Sequence, residues 1–182
     1  MEHDAISAGV SKIGGLFSTA DVRILICYIL SSINKPINGT MLCEVLHAEG
    51  IANIFEVSDS LAFLTESGHI IEHDDGTFTV NDSGRHVANT LNTNLSSIVK
   101  DRAYAAVLKM LIRIRNAKET DFKISREDDR IFLTCSALDQ DRPFMSIKLM
   151  LSDEDQAIFI KNKFLENTSK IYSTLLEMLT KD

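Results

Sequence analysis

Basic side chains are scarce in the first half of the chain. Residues 1–92 hold four of them against twelve acidic ones, while residues 93–182 hold fifteen basic and fourteen acidic side chains. A nucleic-acid-binding domain usually shows the opposite excess, because its affinity comes from cations that neutralise phosphates. The composition therefore argues against a strongly basic DNA-binding domain in the first half.

Long apolar runs are also missing. No run approaches the ~18 residues that a membrane-spanning helix needs. The start of the chain lacks the basic stretch followed by an apolar one that marks a secretory signal. We therefore expect a cytoplasmic protein without a membrane partner. Apolar residues make up 45% of the chain and charged residues 25%, which is typical of a folded protein with one large or two small domains.

Recognisable catalytic motifs are absent as well. The sequence contains no G-x-S-x-G, P-loop, G-x-G-x-x-G or H-E-x-x-H pattern. Its cysteines, Cys27, Cys43 and Cys135, stand in apolar surroundings and form no C-x-x-C pair, which predicts buried thiols in a reducing compartment. We expect neither an enzyme nor a bound cofactor.

What the sequence does contain, first, is helical periodicity after Ser18. The apolar residues of this stretch recur at the spacing of one helix face: Val22, Leu25, Ile26, Ile29, Leu30 and Ile33. Ser18 and Asp21 resemble a capping box at the start of this helix. Pro36 ends the helix, because the residue before a proline leaves the α region.

Two shorter helices and a hairpin are predicted next. The helices cover about 38–48 and 53–67, and Phe55, Leu61 and Leu64 anchor the second one. The stretch "GHIIEHDDGTFTV" then predicts two short strands around an Asp-Gly turn, and Asp82 or Ser83 caps a fourth helix. Helices followed by a hairpin in this order indicate a winged helix-turn-helix.

The second half predicts a different arrangement. A linking helix covers about 95–115, and the runs "ETDFKIS", "RIFLTCSAL" and "FMSIKLML" predict a three-stranded antiparallel meander because short turn sequences separate them. Ser152 caps a final helix with an inward stripe of Phe164, Ile171, Leu175 and Met178. The fold class is therefore α+β, with a winged helix over 16–92 and an α/β dimerisation or sensing domain over 93–182.

Several longer stretches resemble one bacterial family, domain of unknown function 4364. They are "RILICYILSSINKPI", "LTESGHI", "DSGRHVANTL", "RPFMSIKLML" and "KNKFLENTSKIY". The resemblance covers nearly everything after residue 18. It implies an N-terminal winged helix, a C-terminal α/β part and a role in regulation, and it supplies no catalytic residues.

Two sets of side chains could contact DNA. Asn53, Glu56 and Ser60, together with Asp59, are expected on the outer face of the third helix, where the first three could read base edges. Arg102, Lys109 and Arg113 line one face of the linking helix and form the best basic surface. Both sets could equally be ordinary solvated faces, and the basic stripe could instead pair with the acidic first half.

Histidines of the hairpin offer a metal site as an alternative. His69 and His73 share one face of an extended strand, and Asp74 and Asp75 follow. No third fixed ligand is visible, and the turn by itself accounts for Asp75 and Gly76. We therefore expect no metal.

Two functional hypotheses remain from the sequence. The first is a transcriptional regulator whose winged helix has weak nonspecific affinity for DNA, with an unknown effector. The second is a protein-interaction module whose acidic winged helix binds a basic partner protein. In both, one helix covers only one face of the meander, so we expect the other face to be apolar and to meet a second copy in a homodimer.

Overall fold

The computed structural model of the chain describes residues 15–16 and 18–181. The elements follow in the order α1 (Thr19–Ile33), β1 (Ile37–Asn38), α2 (Gly39–Ala48), α3 (Ile54–Glu66), β2 (Ile70–Glu72), β3 (Thr77–Val80), α4 (Asp82–Leu91), α5 (Ser97–Lys118), β4 (Thr120–Glu127), β5 (Arg130–Asp139), β6 (Arg142–Leu151) and α6 (Glu154–Thr180). A short 3₁₀ turn, Asn92–Asn94, joins α4 to α5. This is the α+β architecture that the sequence predicts. Contacts divide the chain into two compact units. In the sequence, the boundary between them falls between Met110 and Leu111, inside α5.

The first unit has the element order of a winged helix-turn-helix. Strands β1, β3 and β2 form a small antiparallel sheet in that spatial order, with Ile37 opposite Phe78 and Ile70 opposite Val80. Strand β1 has only two residues, too few to show a strand period in the sequence. Gly68, just before β2, and Gly76, in the turn before β3, adopt positive φ, a backbone conformation that is strained for residues with a side chain.

The core of the first unit forms around α1, as its periodicity predicts. Most of its apolar side chains are buried, and Leu25, Ile26 and Ile29 are completely enclosed. All three cysteines of the chain are buried free thiols, as expected. Burial raises the pKa of the Cys27 thiol to about 11, so this cysteine stays protonated at neutral pH.

The second unit contains the predicted meander. Strands β4, β5 and β6 pair antiparallel in sequence order, and both connections are two-residue turns. Leu133 and Cys135 of β5 face α6 and form a core with Phe164. Phe122 meets Phe164 edge to face, with ring centroids 5.8 Å apart.

The other face of this sheet is mostly polar. Alternation along the strands places Thr134 on it, between Lys123 of β4 and Lys148 of β6. Lys148 Nζ lies 2.8 Å from a Glu127 carboxylate oxygen and 4.4 Å from the centre of the Phe132 ring. The expectation that this face is apolar is therefore wrong, and the homodimer stays a prediction.

Helix α6 is interrupted at Asn167, whose φ of −129° and ψ of 16° are not helical. Before this residue the helix is anchored on the sheet through Ala157 and Phe164. Beyond it, Leu175 and Met178 do not point inward as predicted: Met178 is 74% exposed and Leu179 is 81% exposed. Within the described residues, none of the helices is both long enough and apolar enough to span a membrane.

Three predicted helix caps need correction. Ser18 occupies the N-cap position of α1, but its side chain caps no backbone amide, so the capping box is not formed. The fourth helix is capped by Asn81, whose Oδ1 accepts from Gly84 N at 3.0 Å, rather than by Asp82 or Ser83. Asp153, not Ser152, caps the last helix and accepts from Gln156 N at 2.7 Å.

Candidate interaction surface

The inner face of α3 includes two of the predicted base-reading residues. Asn53 is only 5% exposed and Ser60 is fully buried, on the same face as Val57 and Leu61. Asn53 is the N-cap of α3 and accepts a hydrogen bond from Phe55 N at 2.8 Å. Neither side chain can reach a base edge, so both predictions are wrong. The spacing explains their burial: Asn53 lies four residues before Val57 and Ser60 three residues after it, so all three share one face of the helix.

The outer face of α3 combines apolar and acidic side chains. We call it the α3 face, and it consists of Phe55, Ser58, Asp59, Ala62, Phe63 and Glu66, all exposed. Phe55 was predicted to anchor the core but is 74% exposed. It lies two residues from Val57, which turns it to the opposite side of the helix. A single exposed phenylalanine is ordinary, but Phe63 lies on the same face and makes it an apolar surface.

Contacts from α1 fix two side chains of α3. Thr19 Oγ1 donates to Glu56 Oε2 at 2.9 Å, so the third predicted base reader is half-buried and engaged within the unit. The Arg23 guanidinium stacks on Phe63 at 3.5 Å from the ring centre. This cation–π contact directs the charge of Arg23 toward the protein's own helix.

The wing beside α3 ends in carboxylates. Asp75 Oδ1 accepts from Thr77 Oγ1 at 2.6 Å and from Thr77 N at 3.0 Å. These hydrogen bonds, the side-chain one first, hold the pKa of Asp75 below its usual range and keep it charged. Glu72 and Asp74 are exposed nearby, so the tip of the wing is negative.

The basic stripe of the linking helix is partly engaged within the protein. Arg102 Nη2 donates to the carbonyl oxygen of Glu49 at 2.5 Å, and Arg113 Nη2 donates to Asn162 Oδ1 at 2.7 Å. Lys109 is exposed on the same helix. The stripe therefore has structural partners as well as exposed charge.

The hairpin histidines each contact a hydroxyl group. His69 Nδ1 lies 2.9 Å from Ser67 Oγ, and His73 Nε2 lies 2.8 Å from Thr79 Oγ1. In the described part of the chain, no group of three or more His, Cys, Asp or Glu side chains is arranged to hold a metal ion.

Comparison with known proteins identifies the family. The model of the family described as domain of unknown function (DUF4364) matches residues 22–179, from α1 almost to the end of α6. The chain belongs to the DUF4364 family. No match is found among curated proteins or solved structures. In this DUF4364 chain, the α3 face combines the exposed rings of Phe55 and Phe63 with the carboxylates of Asp59 and Glu66.

The positions of Asn53 and Ser60 make a prediction about stability. Asn53→Ala is expected to lower the free energy of unfolding by about 1 kcal/mol, because it removes the N-cap of α3. Ser60→Ala should leave it within about 0.5 kcal/mol or raise it, since the buried hydroxyl has no hydrogen-bond partner among the described residues. Urea unfolding followed by circular dichroism measures both, with Asn53→Asp as the control that keeps the cap. Unchanged stability of Asn53→Ala would contradict the assigned role.

Proposed function

We propose that the winged-helix unit is a protein-interaction module whose α3 face binds a partner with a basic, partly apolar surface. The observation that carries this proposal is the exposed ring of Phe55 at the start of α3, the position that a DNA reader would present to the groove. Aromatic side chains of this kind are the usual anchors of protein interfaces.

Charge supports the same assignment. The sequence from Asn53 to Gly84, which includes α3 and the wing, contains no lysine or arginine. The same span carries acidic residues on both elements, including Asp59 and Glu66 on α3. Phosphate binding needs cations, and α3 and the wing supply none of their own, while Arg23 of α1 is stacked on the Phe63 ring. Carboxylates around an apolar anchor instead complement lysines and arginines around an apolar pocket.

The test is to identify what Phe55 touches in the cell. Phe55 is replaced by the photoreactive analogue p-benzoylphenylalanine, and Phe159, an exposed phenylalanine of the second unit, is replaced in a matched control. We expect a protease-sensitive, nuclease-resistant adduct from position 55 that is missing from position 159. Adding Asp59→Lys and Glu66→Lys should abolish the adduct. A nuclease-sensitive adduct at position 55 would contradict the proposal.

A second candidate is a transcriptional regulator that binds DNA. It is favoured by the winged helix-turn-helix order of the elements and by the exposed Lys109 on α5. Because α3 and the wing lack basic residues, contact would have to recruit the linking helix. The homodimer expected from the sequence would then present two copies of α3 to two half-sites.

For this candidate we predict feeble binding to random duplex DNA, weaker than about 100 µM at physiological salt. Asp74→Asn with Asp75→Asn should strengthen any binding, because it removes repulsion and keeps residue types that form the turn. Lys109→Ala with Arg113→Ala should weaken it and flatten the salt dependence by up to about two units per subunit. Fluorescence anisotropy over a salt series measures all three. Submicromolar binding to random duplex DNA that is the same in the Lys109→Ala, Arg113→Ala variant would contradict both this prediction and the proposed function.

A further inference from the structure

A cavity lies in the second unit, where α5 ends and α6 is interrupted. Its volume is about 170 Å³, and Asn116, Thr168 and Ser169 line it together with the rings of Phe144 and Tyr172. A more open cleft of about 530 Å³ adjoins it and is lined by the same two rings. The two spaces share Glu119, Leu138, Phe144 and Tyr172 as lining residues, and we call them together the recess.

The interruption of α6 is fixed by side chains at this recess. Asn116 is buried, and its Nδ2 donates to the carbonyl oxygen of Leu165 at 2.6 Å. Thr168 Oγ1 donates to the carbonyl oxygen of Phe164 at 2.6 Å, and Asn167 Nδ2 donates to that of Lys163 at 3.0 Å. These bonds tie the interrupted turn of α6 to its own backbone carbonyls and to α5, so the recess lies against an ordered part of the folded unit.

A β-bulge turns Phe144 into the recess. Ala137 pairs with Met145 and Leu138 pairs with Pro143, which leaves Phe144 as the extra residue. Met145 packs in the core on the α6 side, and regular alternation would send Phe144 to the opposite face. With the bulge, its ring instead meets Tyr172 of α6 at 5.1 Å between centroids and 86° between planes.

Two half-exposed rings at right angles form a corner of electron-rich surface. Carboxylates flank this corner, since Glu119 lines both spaces and Asp139 lines the outer one. Among the described residues that line them, none is lysine, arginine or histidine. Glu119 is the carboxylate that lines both spaces, so it is placed to balance a bound positive charge. Aromatic corners with a nearby carboxylate bind organic ammonium ions.

We propose that this recess binds a compact alkylammonium group, held against Phe144 and Tyr172 and balanced by Glu119. The group could belong to a free amine or to a lysine side chain, and the chemistry is the same. An anionic ligand would meet two carboxylates and is disfavoured. The inference uses the second unit only and does not depend on the proposed function.

The test is calorimetric and NMR titration of the full chain with choline and with 3,3-dimethyl-1-butanol, its uncharged isostere. We expect choline to bind about tenfold more tightly and to shift the ring resonances of Tyr172. Titration with Nα-acetyl-lysine N-methylamide distinguishes the sources: tighter binding than choline assigns the site to a lysine side chain, and weaker binding assigns it to a free amine. Equal affinity for choline and its isostere, or no ring shift with either cation, overturns the proposal.

Variants of the lining residues distinguish a loss of ligand binding from a loss of folding. Phe144→Leu, Tyr172→Leu and Glu119→Gln should each weaken choline binding at least about fivefold, while Tyr172→Phe retains it because the ring remains. Phe159→Leu, at an exposed phenylalanine outside the recess, is the matched control. If Phe144→Leu fails to fold, the Glu119→Gln variant still tests the site, because Glu119 is exposed and its replacement should not affect folding. Retention of full affinity by both Tyr172→Leu and Glu119→Gln would refute the site.

Discussion

Replacing Gly84 by alanine is expected to destabilise the first unit by about 3 kcal/mol or more. Gly84 lies in the first turn of α4, directly against the hairpin. A Cβ atom there would overlap the carbonyl oxygen of His69 and come within 2.7 Å of Val80 Cγ2. The obstacle is backbone rather than the end of a flexible side chain, so α4 and the hairpin must separate.

Urea unfolding of the Gly84→Ala variant measures this loss. Ser83→Ala is the matched control, because Ser83 is exposed on the same helix turn and alanine should cost less than about 0.5 kcal/mol there. A Gly84→Ala variant as stable as Ser83→Ala would show that α4 moves away from the hairpin at little cost.

Changing Met178 and Leu179 together to glutamate is expected to convert a dimer into a monomer of 20.3 kDa. The end of α6 exposes five large apolar side chains: Tyr172, Leu175, Leu176, Met178 and Leu179. A patch of this kind marks an interaction site. We propose a second copy as the occupant, because the exposed Leu175, Met178 and Leu179 recur at i, i+3 and i+4 on one helix face and a two-fold axis makes such a face self-complementary.

Light scattering at tens of micromolar measures the mass, where an interface of standard size should hold. Ile158→Glu with Phe159→Glu is the matched control, since these side chains are similarly exposed at the other end of α6. We expect the control to remain dimeric and both variants to keep the thermal stability of each unit. A monomeric unmodified protein would refute the proposed dimer.

The elements with strong periodicity could be predicted from the sequence. The apolar face of α1 and the three strands of the meander form where expected. An element that buries one face has apolar residues at the spacing of that face, and this spacing is visible in the sequence. Strand β1 could not be predicted, since two residues carry no period. The predicted cap of the last helix, Ser152, is one residue away from the observed cap, Asp153. Either side chain can accept the capping hydrogen bond, and the backbone conformation determines which of them does.

The candidate site was harder to predict. Asn53 and Ser60 were placed outside because they are polar, although their spacing puts them with Val57 in the core. Phe55 was placed inside because it is apolar. In both cases the position relative to Val57, and not the residue type, decides whether the side chain is buried. The cavity beside Phe144 could not be predicted, since it depends on a bulge and on the interruption at Asn167, and neither follows from a pattern.

The two turns of the meander have a consequence for engineered thermostability. Asp128 and Asp129 in one, and Gln140 and Asp141 in the other, all adopt φ between 46° and 67°. Left-handed backbone costs residues other than glycine roughly 1–2 kcal/mol, and somewhat less for aspartate. An Asn-Gly pair fits such a turn without this cost. An Asn-Gly pair in place of Asp128 and Asp129 should therefore raise heat resistance without changing the α3 face or the recess, whereas Gln140 of the other turn lines the recess.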